Sequence, residues 1–538
     1  MDTDTIAVRL AELFSHARWI IVNGVSAGTP PLIEQLREWG GAEFLMVAGG
    51  AGVGDQPDVE VVTMPSPPGT VMEGFRRFAA KAENPPPDIR DAVDRFDPEG
   101  TARALGPLFA VPPEFLGRRL YGSRPPAWEA LEDKMVADTI WDEAGIPRAG
   151  SAVVALDDAP DAADRLRTAL GTVWAADNTE GWHGGGEYTR WVADDAAVAR
   201  ALTELRKKTN QVRVMPFLDG IPCSIHGVVT ADGVAALRPV ELLILRRKDR
   251  TGFIYAGVAD TWDPPPAIRD EMRSAARAVG AVLRRRSGHR GPFAIDGVAT
   301  DAGFRPTELN PRFSVGYAIQ ARTVEALHGS FFDRALVEGD LDVPAAWLEN
   351  LIVPAAESAR RVHMGVPVSG TLAPASMTLA ISDGAVTERE EGGSFELGPS
   401  PAGSFLLWKL DPADVPAGAS FAPYAASAIA LATRKWDLPL PDRRRRARQA
   451  RVSPPSARRA VWALLCQSVV AEDLPDLAGD VAFGGADDDA SFLVVCGVAL
   501  LEVVAGLTVV FELGDDDGVE GAVCLPVPSP VEPDVCLT

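Results

Sequence analysis

The fold of this chain is decided by residues 293–312, FAIDGVATDAGFRPTELNPR. The pattern predicts two β-strands joined by a tight turn over Asp301 to Gly303. In a hairpin of this register Asp296 faces Glu308 on the neighbouring strand. The apolar run Phe293 to Ile295 favours a buried strand over the alternative, a surface hairpin whose charges are solvated.

A facing pair of carboxylates needs a cation. Two carboxylates opposite each other repel, and when water is excluded the pair either takes up a proton or holds a cation. Because Mg²⁺ in proteins prefers oxygen ligands, the amide of Asn310 is a suitable addition to Asp296 and Glu308. Side chains alternate along a strand, so Asn310 and Arg312 are expected on the face of Glu308. Arg312 could there stabilise the negative charge of a phosphoryl group.

An α/β unit is predicted at the beginning of the chain. RWIIVN, from residue 18, is typical of a buried strand and runs into GVSAG, which ends at residue 28. Residues 30–39 predict a helix that ends at two glycines, and residues 44–47 predict a second strand. This strand-turn-helix-strand order indicates a small α/β domain that extends to about residue 125.

The segments between this domain and the hairpin predict a lid and part of a larger sheet. In chain order they predict a helix over 126–145 that ends at Gly145, a strand over 151–156, two strands about a glycine-rich loop over 171–192, a helix over 195–208, two β runs over 211–245 and a helix over 267–286.

Residues 355–440 predict short strands and glycine turns, without a motif, and are assigned to packing.

The last hundred residues differ in composition from the rest. Residues 441–460 hold eight arginines, whereas residues 461–538 hold no Lys or Arg and fifteen Asp plus Glu. The change predicts a separate unit. Within it the apolar run 492–511 could span a membrane, but Glu502 and acidic flanks favour short buried strands.

Composition narrows the class of protein. With 538 residues, 46% hydrophobic and 24% charged, the chain is expected to form several packed globular units. Its net charge of -23 argues against a nucleic-acid partner. The five cysteines have neither CxxC spacing nor disulfide density. The acidic N-terminus, MDTDTIAVRLAELF, is unlike a signal peptide, so we expect a cytoplasmic protein.

The pattern E-x-N-x-R after a strand, with an acidic residue on the strand before, resembles the metal site of the ATP-grasp superfamily. Other segments of residues 18–340 match in the same order. Lys134, in EDKMVADTIWDEAGIPRAG, matches the first nucleotide-contacting lysine of the superfamily. Gly184, Gly185 and Gly186 belong to a loop that resembles the superfamily's lid loop, which implies close approach to phosphate oxygens.

A base-binding segment is also similar to that of the superfamily. VRVMPFLDGIPCSIHG, residues 212–227, resembles the strand and hinge against which adenine packs. The resemblance implies backbone contacts to the base from four residues: Met215, Pro216, Phe217 and Leu218. Arg246 and Arg247 lie where the superfamily often supplies a cation to phosphate or carboxylate.

One departure from the superfamily pattern concerns its second lysine, which normally ends the strand before the lid loop. Ala175, Ala176 and Asp177 stand there instead. A phosphate contact is therefore expected from another residue, of which Arg190 is a candidate.

The resemblance implies an α/β ATP-grasp fold with an α+β lid and a Rossmann-like leading domain. The implied domains are a pre-ATP-grasp domain over 1–125, a lid subdomain over 126–210, a C subdomain with the Mg-ATP site over 211–354, an accessory subdomain over 355–440, and an Arg-rich linker with acidic tail over 441–538.

The function that the resemblance implies is ATP-dependent ligation, in which a carboxylate becomes an acyl phosphate and an amine then forms the amide. The implied cofactors are ATP and Mg²⁺, with Mg²⁺ on Asp296, Glu308 and Asn310, and with Arg312 as the catalytic cation. The expected partners are small-molecule acid and amine substrates of amino-acid size, without nucleic acid or membrane, and a homodimer is left open.

Two other classes of protein compete with the ligase. GVSAG, residues 24–28, matches a nucleophile elbow around Ser26, and HGGG at 183–186 imitates an oxyanion loop, which together suggest a serine hydrolase. That loop precedes the serine in such hydrolases but follows it here. A non-catalytic ATP-binding protein is the third class, which the missing lysine favours and the intact set of metal ligands argues against. Four histidines fall into no triad or metal spacing: His226, His289, His328 and His363.

Overall fold

The structure is a computed structural model of the 538-residue chain, which divides into two compact units, residues 1–451 and 452–538. It describes residues 2–438, and beyond them only the strands 443–444, 507–513 and 519–526. Within 2–438 the undescribed positions are 68, 108–112, 180, 182–183, 248–251, 383–384, 401–402 and 410–417.

The α-helices of the described residues are α1 Thr3–Phe14, α2 Pro30–Glu38, α3 Val71–Glu83, α4 Pro87–Phe96, α5 Pro126–Glu129, α6 Ala137–Ala144, α7 Ala159–Leu166, α8 Asp195–Leu205, α9 Pro266–Ser287, α10 Val315–Ala321, α11 Ser330–Glu338, α12 Ala345–Ser358 and α13 Ala422–Trp436. Short 3₁₀ turns lie at Ala130–Glu132, Leu156–Asp158 and Glu325–Leu327.

The strands of the first half are β1 Arg18–Asn23, β2 Glu43–Ala48, β3 Glu60–Thr63, β4 Arg103–Leu105, β5 Glu114–Phe115, β6 Arg118–Tyr121, β7 Ala152–Ala155, β8 Thr172–Ala176, β9 Thr189–Val192, β10 Gln211–Pro216, β11 Ile221–Val229, β12 Val234–Ala236, β13 Val240–Arg247 and β14 Phe253–Ala259. The later strands are β15 Gly291–Thr300, β16 Gly303–Asn310, β17 Val362–Val368, β18 Ala375–Ser382, β19 Ala385–Glu388, β20 Gly393–Ser400, β21 Gly403–Lys409, β22 Arg443–Arg444, β23 Leu507–Leu513 and β24 Val519–Pro526.

The leading domain is built on a six-stranded sheet of order β3-β2-β1-β4-β6-β5. All neighbours pair in parallel except β5 with β6. The order 3-2-1-4 is that of a doubly wound sheet, in which helices cover both faces. Ile20, Val22, Leu45 and Val47 are fully buried, because a strand covered on both faces has to be apolar throughout. The expected Rossmann-like beginning is confirmed.

The lid is a four-stranded antiparallel sheet of order β7-β10-β8-β9. Helices α7 and α8 supply small alanines to its core, where Trp174 is the largest side chain and is fully buried. The lid therefore has a core of its own, as expected of an α+β lid.

A twelve-stranded sheet forms the centre of the larger unit. Its main path is β16-β15-β11-β13-β14-β17-β21-β20-β18-β19, and β12 and β22 pair with β11 and β13. All of its pairings are antiparallel. Helix α9 packs on one face over β11, and α10 packs on β11, β14 and β17. The strands of the expected accessory segment thus extend the sheet that carries the hairpin.

Two helical segments differ from the predictions made from the sequence. The helix predicted over 126–145 is interrupted: α5 and a 3₁₀ turn end at Glu132, Asp133 has an extended backbone with ψ 125°, and α6 begins at Ala137. Gly145 ends α6 in the left-handed conformation, as predicted. Helix α12 also runs across the proposed boundary at 354–355, and the domain limits stay predictions.

In the second unit the described residues form one antiparallel hairpin, β23 with β24. Of the apolar run 492–511, residues 492–506 lie outside the described residues. Residues 507–511 form the beginning of β23. Across the part of the chain that the structure describes, every helix is too short or too polar to cross a membrane.

Candidate active site

The hairpin of β15 and β16 positions the acidic pair. Its register pairs Asp296 with Glu308 and Ala294 with Asn310, and the chain turns at Asp301 and Ala302. A register shift follows Asp296, and such a bulge changes the direction of neighbouring side chains. The predicted facing of the two carboxylates is confirmed.

Two hydrogen-bond partners and a neighbouring carboxylate surround the carboxyl group of Asp296. Asn310 Nδ2 donates to Asp296 Oδ2 at 3.0 Å, and the hydroxyl of Ser224, opposite Asp296 on β11, is a second hydrogen-bond partner. Burial, followed by the charge of Glu308, raises the pKa of Asp296 to about 7. Near neutral pH the two carboxyls therefore carry less than two full charges unless a cation joins them.

Lys134 pairs with the other carboxylate. Its Nζ donates to Glu308 Oε1 at 2.9 Å, and the whole residue is only 4% exposed. The interruption of the helix explains this position, because the extended backbone at Asp133, whose Oδ1 accepts from the N–H of Met135, carries Lys134 between α5 and α6. Lys134 is thus a buried ion-pair partner in this structure.

Arg312 lies beyond the end of β16 but still reaches the site. Its Nη2 donates to Asn310 Oδ1 at 2.9 Å, and its Nε donates to Glu132 Oε1 at 2.7 Å. Glu132 is 2% exposed and also accepts from Arg124. Burial by itself would lower the pKa of Arg312, but the charges of Glu132 and Glu308 hold that pKa above its ordinary value. Glu132 therefore fixes Arg312 as a charged group.

The donor set suits a hard divalent cation. Asp296, Glu308 and Asn310 offer carboxylate and amide oxygens, the ligands that Mg²⁺ accepts together with phosphate oxygens. Burial and then the charge of Glu308 raise the pKa of Asp296, and a cation bound between the two carboxylates would lower it again. Among the described residues no cluster holds three or more His, Cys, Asp or Glu side chains in metal-binding arrangement. A site with two carboxylates thus fits Mg²⁺ that is shared with a nucleotide, and fits an all-protein metal cage poorly.

The glycine loop of the lid contacts the leading domain. Gly185 and Gly186 have φ of +60° and +75°, a region that a side chain would disfavour. The N–H of Gly184 is directed to Met72 Sδ on α3 at 3.1 Å. Just after the glycines, Glu187 accepts from Arg76 of α3 at 2.9 Å. This part of the lid is therefore fastened to α3.

The proposed base-binding segment lies at the end of β10. Met215 and Pro216 pair with β8, and the next N–H, that of Phe217, donates to Gly171 at 3.0 Å. The Phe217 N–H is thus already engaged within the lid. Base contacts from this segment, including Leu218, stay predictions.

Arg246 lies between two aromatic rings. Its guanidinium is 4.9 Å from the ring centroid of Trp191 and 5.4 Å from that of Phe217. These cation–π contacts hold Arg246 where β13 meets the lid. The side chain of Arg247 lies outside the described residues.

The segment in place of the second lysine contains no cation. Ala175 and Ala176 are buried in β8, and Asp177 Oδ1 accepts from the N–H of Thr179. Arg190, the expected substitute, donates to Glu204 Oε2 at 2.7 Å. Arg190 would have to leave this partner before it could bind a phosphate.

Among the described residues, Ser26 has no histidine partner of the kind that the serine-hydrolase alternative requires. Ser26 Oγ donates to Gln56 Oε1 at 2.7 Å, whereas a nucleophilic serine would need a histidine. His226 and His289 are fully enclosed, and burial lowers the pKa of each to about 3. His328 contacts Gln35 at 2.9 Å.

Three residues of the site escaped the sequence interpretation. Ser224 could have been found from the pairing of β11 with β15, because a strand neighbour on the same face contacts Asp296. Tyr255 lies close enough for the charge of Asp296 to raise its pKa, after burial. Glu132 precedes Lys134 by two residues, but its link to Arg312 crosses 180 positions and left no local signal.

The fold is that of an α/β protein with an antiparallel lid and a glycine loop. Its candidate site is a pair of carboxylates flanked by Lys134 and Arg312. No family model matches the chain, and no curated protein matches it either.

Solved structures with a similar chain path include complexes of enzymes with ATP or ADP and two ligases. They include a carboxyaminoimidazole ribonucleotide synthase from Aspergillus clavatus complexed with ATP (14% identity, 78% of this chain, 99% of that chain, TM-score 0.45). A second is a biotin carboxylase–β,γ-ATP complex from Campylobacter jejuni (13% identity, 74% of this chain, 88% of that chain, TM-score 0.43). A third is an L-amino acid ligase from Bacillus licheniformis (13% identity, 72% of this chain, 92% of that chain, TM-score 0.40).

Proposed function

We propose that this chain is an ATP-dependent ligase of the ATP-grasp kind, which forms ADP, activates a carboxylate as an acyl phosphate and couples it to an amine. One observation carries the proposal. The facing carboxylates Asp296 and Glu308 lie within hydrogen-bond contact of an amide and a lysine, and the same amide contacts Arg312. Such a group of charges suits a polyanion and its cation.

Asp296, Glu308 and Asn310 would hold Mg²⁺, which would neutralise phosphate oxygens there. Asn310 supports this role in two ways, because its amide nitrogen orients Asp296 and its oxygen is directed to Arg312. Ser224 orients Asp296 from the other side of the pair.

Lys134 neutralises Glu308 through an ion pair of 2.9 Å between Nζ and Oε1. A lysine ammonium is a compact charge on a flexible stem, so Lys134 can exchange a carboxylate oxygen for a phosphate oxygen without a change of fold. We assign to it the contact with ATP.

Arg312 is the proposed catalytic residue. A substrate carboxylate oxygen attacks the γ-phosphorus, and the bond from that phosphorus to the bridging oxygen of ADP breaks. Arg312, held by Glu132, can donate to the phosphoryl oxygens during this transfer. The amine then attacks the acyl carbon, the carbon–oxygen bond to phosphate breaks, and the amine proton is lost to give the amide.

The proposal is tested by ADP release from ATP and Mg²⁺ across a panel of amino acids and other small carboxylates. Hydroxylamine should trap an acyl phosphate as hydroxamate. Acid-dependent ADP release with hydroxamate is expected, whereas release of AMP would contradict the mechanism.

Tight ATP binding with no turnover across the panel would favour the non-catalytic alternative, to which Ala175 and Ala176 in place of a lysine point. Cytoplasmic location and a homodimer stay predictions.

A further inference from the structure

Arg124 is a buried cation that shares a carboxylate with Arg312. It lies between β6 and α5, at the end of the leading domain. Nη1 of Arg124 donates to Glu132 Oε2, and Nε of Arg312 donates to Glu132 Oε1 at 2.7 Å. One buried carboxylate thus joins two guanidinium groups, of which the second belongs to the candidate active site.

The residues on both sides of Arg124 fix its position. Pro125 and Pro126 follow it, and a residue before proline is restricted to an extended backbone. Two positions earlier, Gly122 has φ +80°, which favours glycine, and its N–H donates to Glu338 Oε1 of α11 at 2.8 Å. The segment that carries Arg124 is therefore held against α11.

Two acids face Arg124. Glu132 contacts it directly, and Oε2 of the partly exposed Glu129 lies 3.6 Å from Arg124 Nη2. Glu129 belongs to α5, whereas Glu132 is the acid that both arginines contact. A change at Arg124 is therefore expected to alter how Glu132 holds Arg312.

The shape of a guanidinium group indicates what this sharing does. Nε and Nη2 lie on one edge of the group, and a carboxylate with two open oxygens can bind both of them as a fork. In this structure Nε of Arg312 donates to Glu132, and Nη2 donates to Asn310 Oδ1 at 2.9 Å. Because Arg124 engages Oε2 of Glu132, it competes with a fork between Glu132 and Arg312 and favours the contact of Nη2 with Asn310.

The contacts continue to the acidic pair, since Asn310 Nδ2 donates to Asp296 Oδ2 at 3.0 Å. Arg124 and Arg312 also line one small cavity, together with Trp128 and other residues. A displacement of a reacting or stabilising group by about 1 Å can slow a reaction about 100-fold. The position of Nη2 of Arg312 is thus a quantity on which the rate of phosphoryl transfer would depend.

We propose that Arg124 is a positioning residue, which occupies one oxygen of Glu132 and thereby directs Nη2 of Arg312 to Asn310 and to the phosphoryl group beside it. The inference rests on the proposed ligase function, in which Arg312 is the group that contacts the phosphoryl oxygens. Arg124 acts through Glu132 and has no assigned contact with substrate.

The first measurement is the steady-state rate of ADP release per folded molecule. Arg124→Met should lower kcat about tenfold and leave the KM for ATP within about twofold, because the proposed contacts to ATP are unchanged. Arg124→Lys keeps a cationic donor for Glu132 and should recover part of the lost kcat. Arg119→Met is the matched control, since it removes an ion pair with Glu338 from the same segment and should leave kcat unchanged.

A double variant separates positioning from a general effect on the segment. In a Glu132→Gln background, Arg124→Met should lower kcat by less than about twofold, because the shared carboxylate is already lost. An unchanged kcat in Arg124→Met would overturn the proposal. Equal losses of kcat in Arg124→Met and Arg119→Met would also overturn it, because the segment as a whole would then be responsible.

The second measurement is a pair of crystal structures of the full chain, wild type and Arg124→Met, and it needs no turnover. In the variant, Nη2 of Arg312 should leave Asn310 Oδ1 and bond to Glu132 Oε2. An unchanged contact between Arg312 and Asn310 would overturn the proposal at any measured rate. A wild type that releases no ADP would instead contradict the proposed function, and the two crystal structures would still decide what Arg124 does.

Discussion

Two carboxyl groups of this molecule share a pKa of about 7 for different reasons: Asp296 in the hairpin and Asp333 in α11. Asp333 is 1% exposed and is raised by burial, while the hydroxyl of Tyr317, which donates to it at 2.5 Å, and the charge of Arg334 oppose the rise. Asp296 is raised by burial and then by a second carboxylate, Glu308.

The difference shows which feature indicates function. Asp333 has its partner within the protein, so its raised pKa belongs to a packed core between α10 and α11. Asp296 faces a like charge, and a bound cation would stabilise the two carboxylates beyond the ion pair of Glu308 with Lys134. A perturbed pKa alone therefore does not distinguish a binding site from a core, but a facing carboxylate does.

The largest effect is expected from Glu308→Gln. This change keeps the shape of the side chain but removes one of the two proposed carboxylate ligands, so acid-dependent ADP release should fall at least about 100-fold. Asp333→Asn is the matched control in the other region and should retain the rate per folded molecule. Equal losses in both variants would remove the distinction between the two regions.

Tyr317→Phe should affect stability where Glu308→Gln affects rate. Loss of the hydroxyl leaves Asp333 without its donor, and we expect a loss of about 1–3 kcal/mol in the free energy of unfolding, measured with urea. Tyr424→Phe, which removes a partly exposed hydroxyl, is the control. A fall in ADP release without a change in stability would show that the core also takes part in the reaction.

Lys134→Met should raise the KM for ATP about tenfold and change the turnover number less, because one charged contact to phosphate is lost. In the absence of metal, Lys134→Met also leaves the carboxylate of Glu308 without its ammonium partner. An unchanged KM would show that Lys134 serves only the ion pair that the structure contains.

The pH dependence of stability gives the smallest and most specific comparison. Both folded carboxyls have a pKa of about 7, above the ordinary value near 4, so the stability that these two groups contribute is greatest at low pH and falls as pH rises from about 4 to about 7. Each group contributes at most about 1.4 kcal/mol per pH unit. Asp296→Asn and Asp333→Asn should each abolish one group's share of this pH-dependent loss of stability. Binding of Mg²⁺ with ATP should abolish the share of Asp296 and leave the share of Asp333. The measurement is urea unfolding across this pH range.

Much of the hairpin could be predicted, because its information is local. Alternation of side chains gives the faces, and the turn gives the register that pairs Asp296 with Glu308. The doubly wound beginning was also readable from the apolar strand at residue 18 and the helix that follows.

The environment of Lys134 could not be predicted, because its segment has the spacing of an uninterrupted helix. Contact with the sheet outweighs helix propensity there and extends the backbone at Asp133. Glu132 and Arg312 meet only through tertiary packing. The sharing of one sheet by β13 and β17 to β21 depends on pairings between distant strands, which short strands do not specify.

The central claim is that Asp296 and Glu308 bind a divalent cation with the nucleotide. Its most direct test is a titration of the full chain with Mn²⁺ in the presence of ATP, followed by electron paramagnetic resonance, for the wild type and Glu308→Gln. We predict that Mn²⁺ binds the wild-type complex and that Glu308→Gln weakens this binding at least about tenfold. Equal Mn²⁺ affinity in the two proteins would contradict the claim.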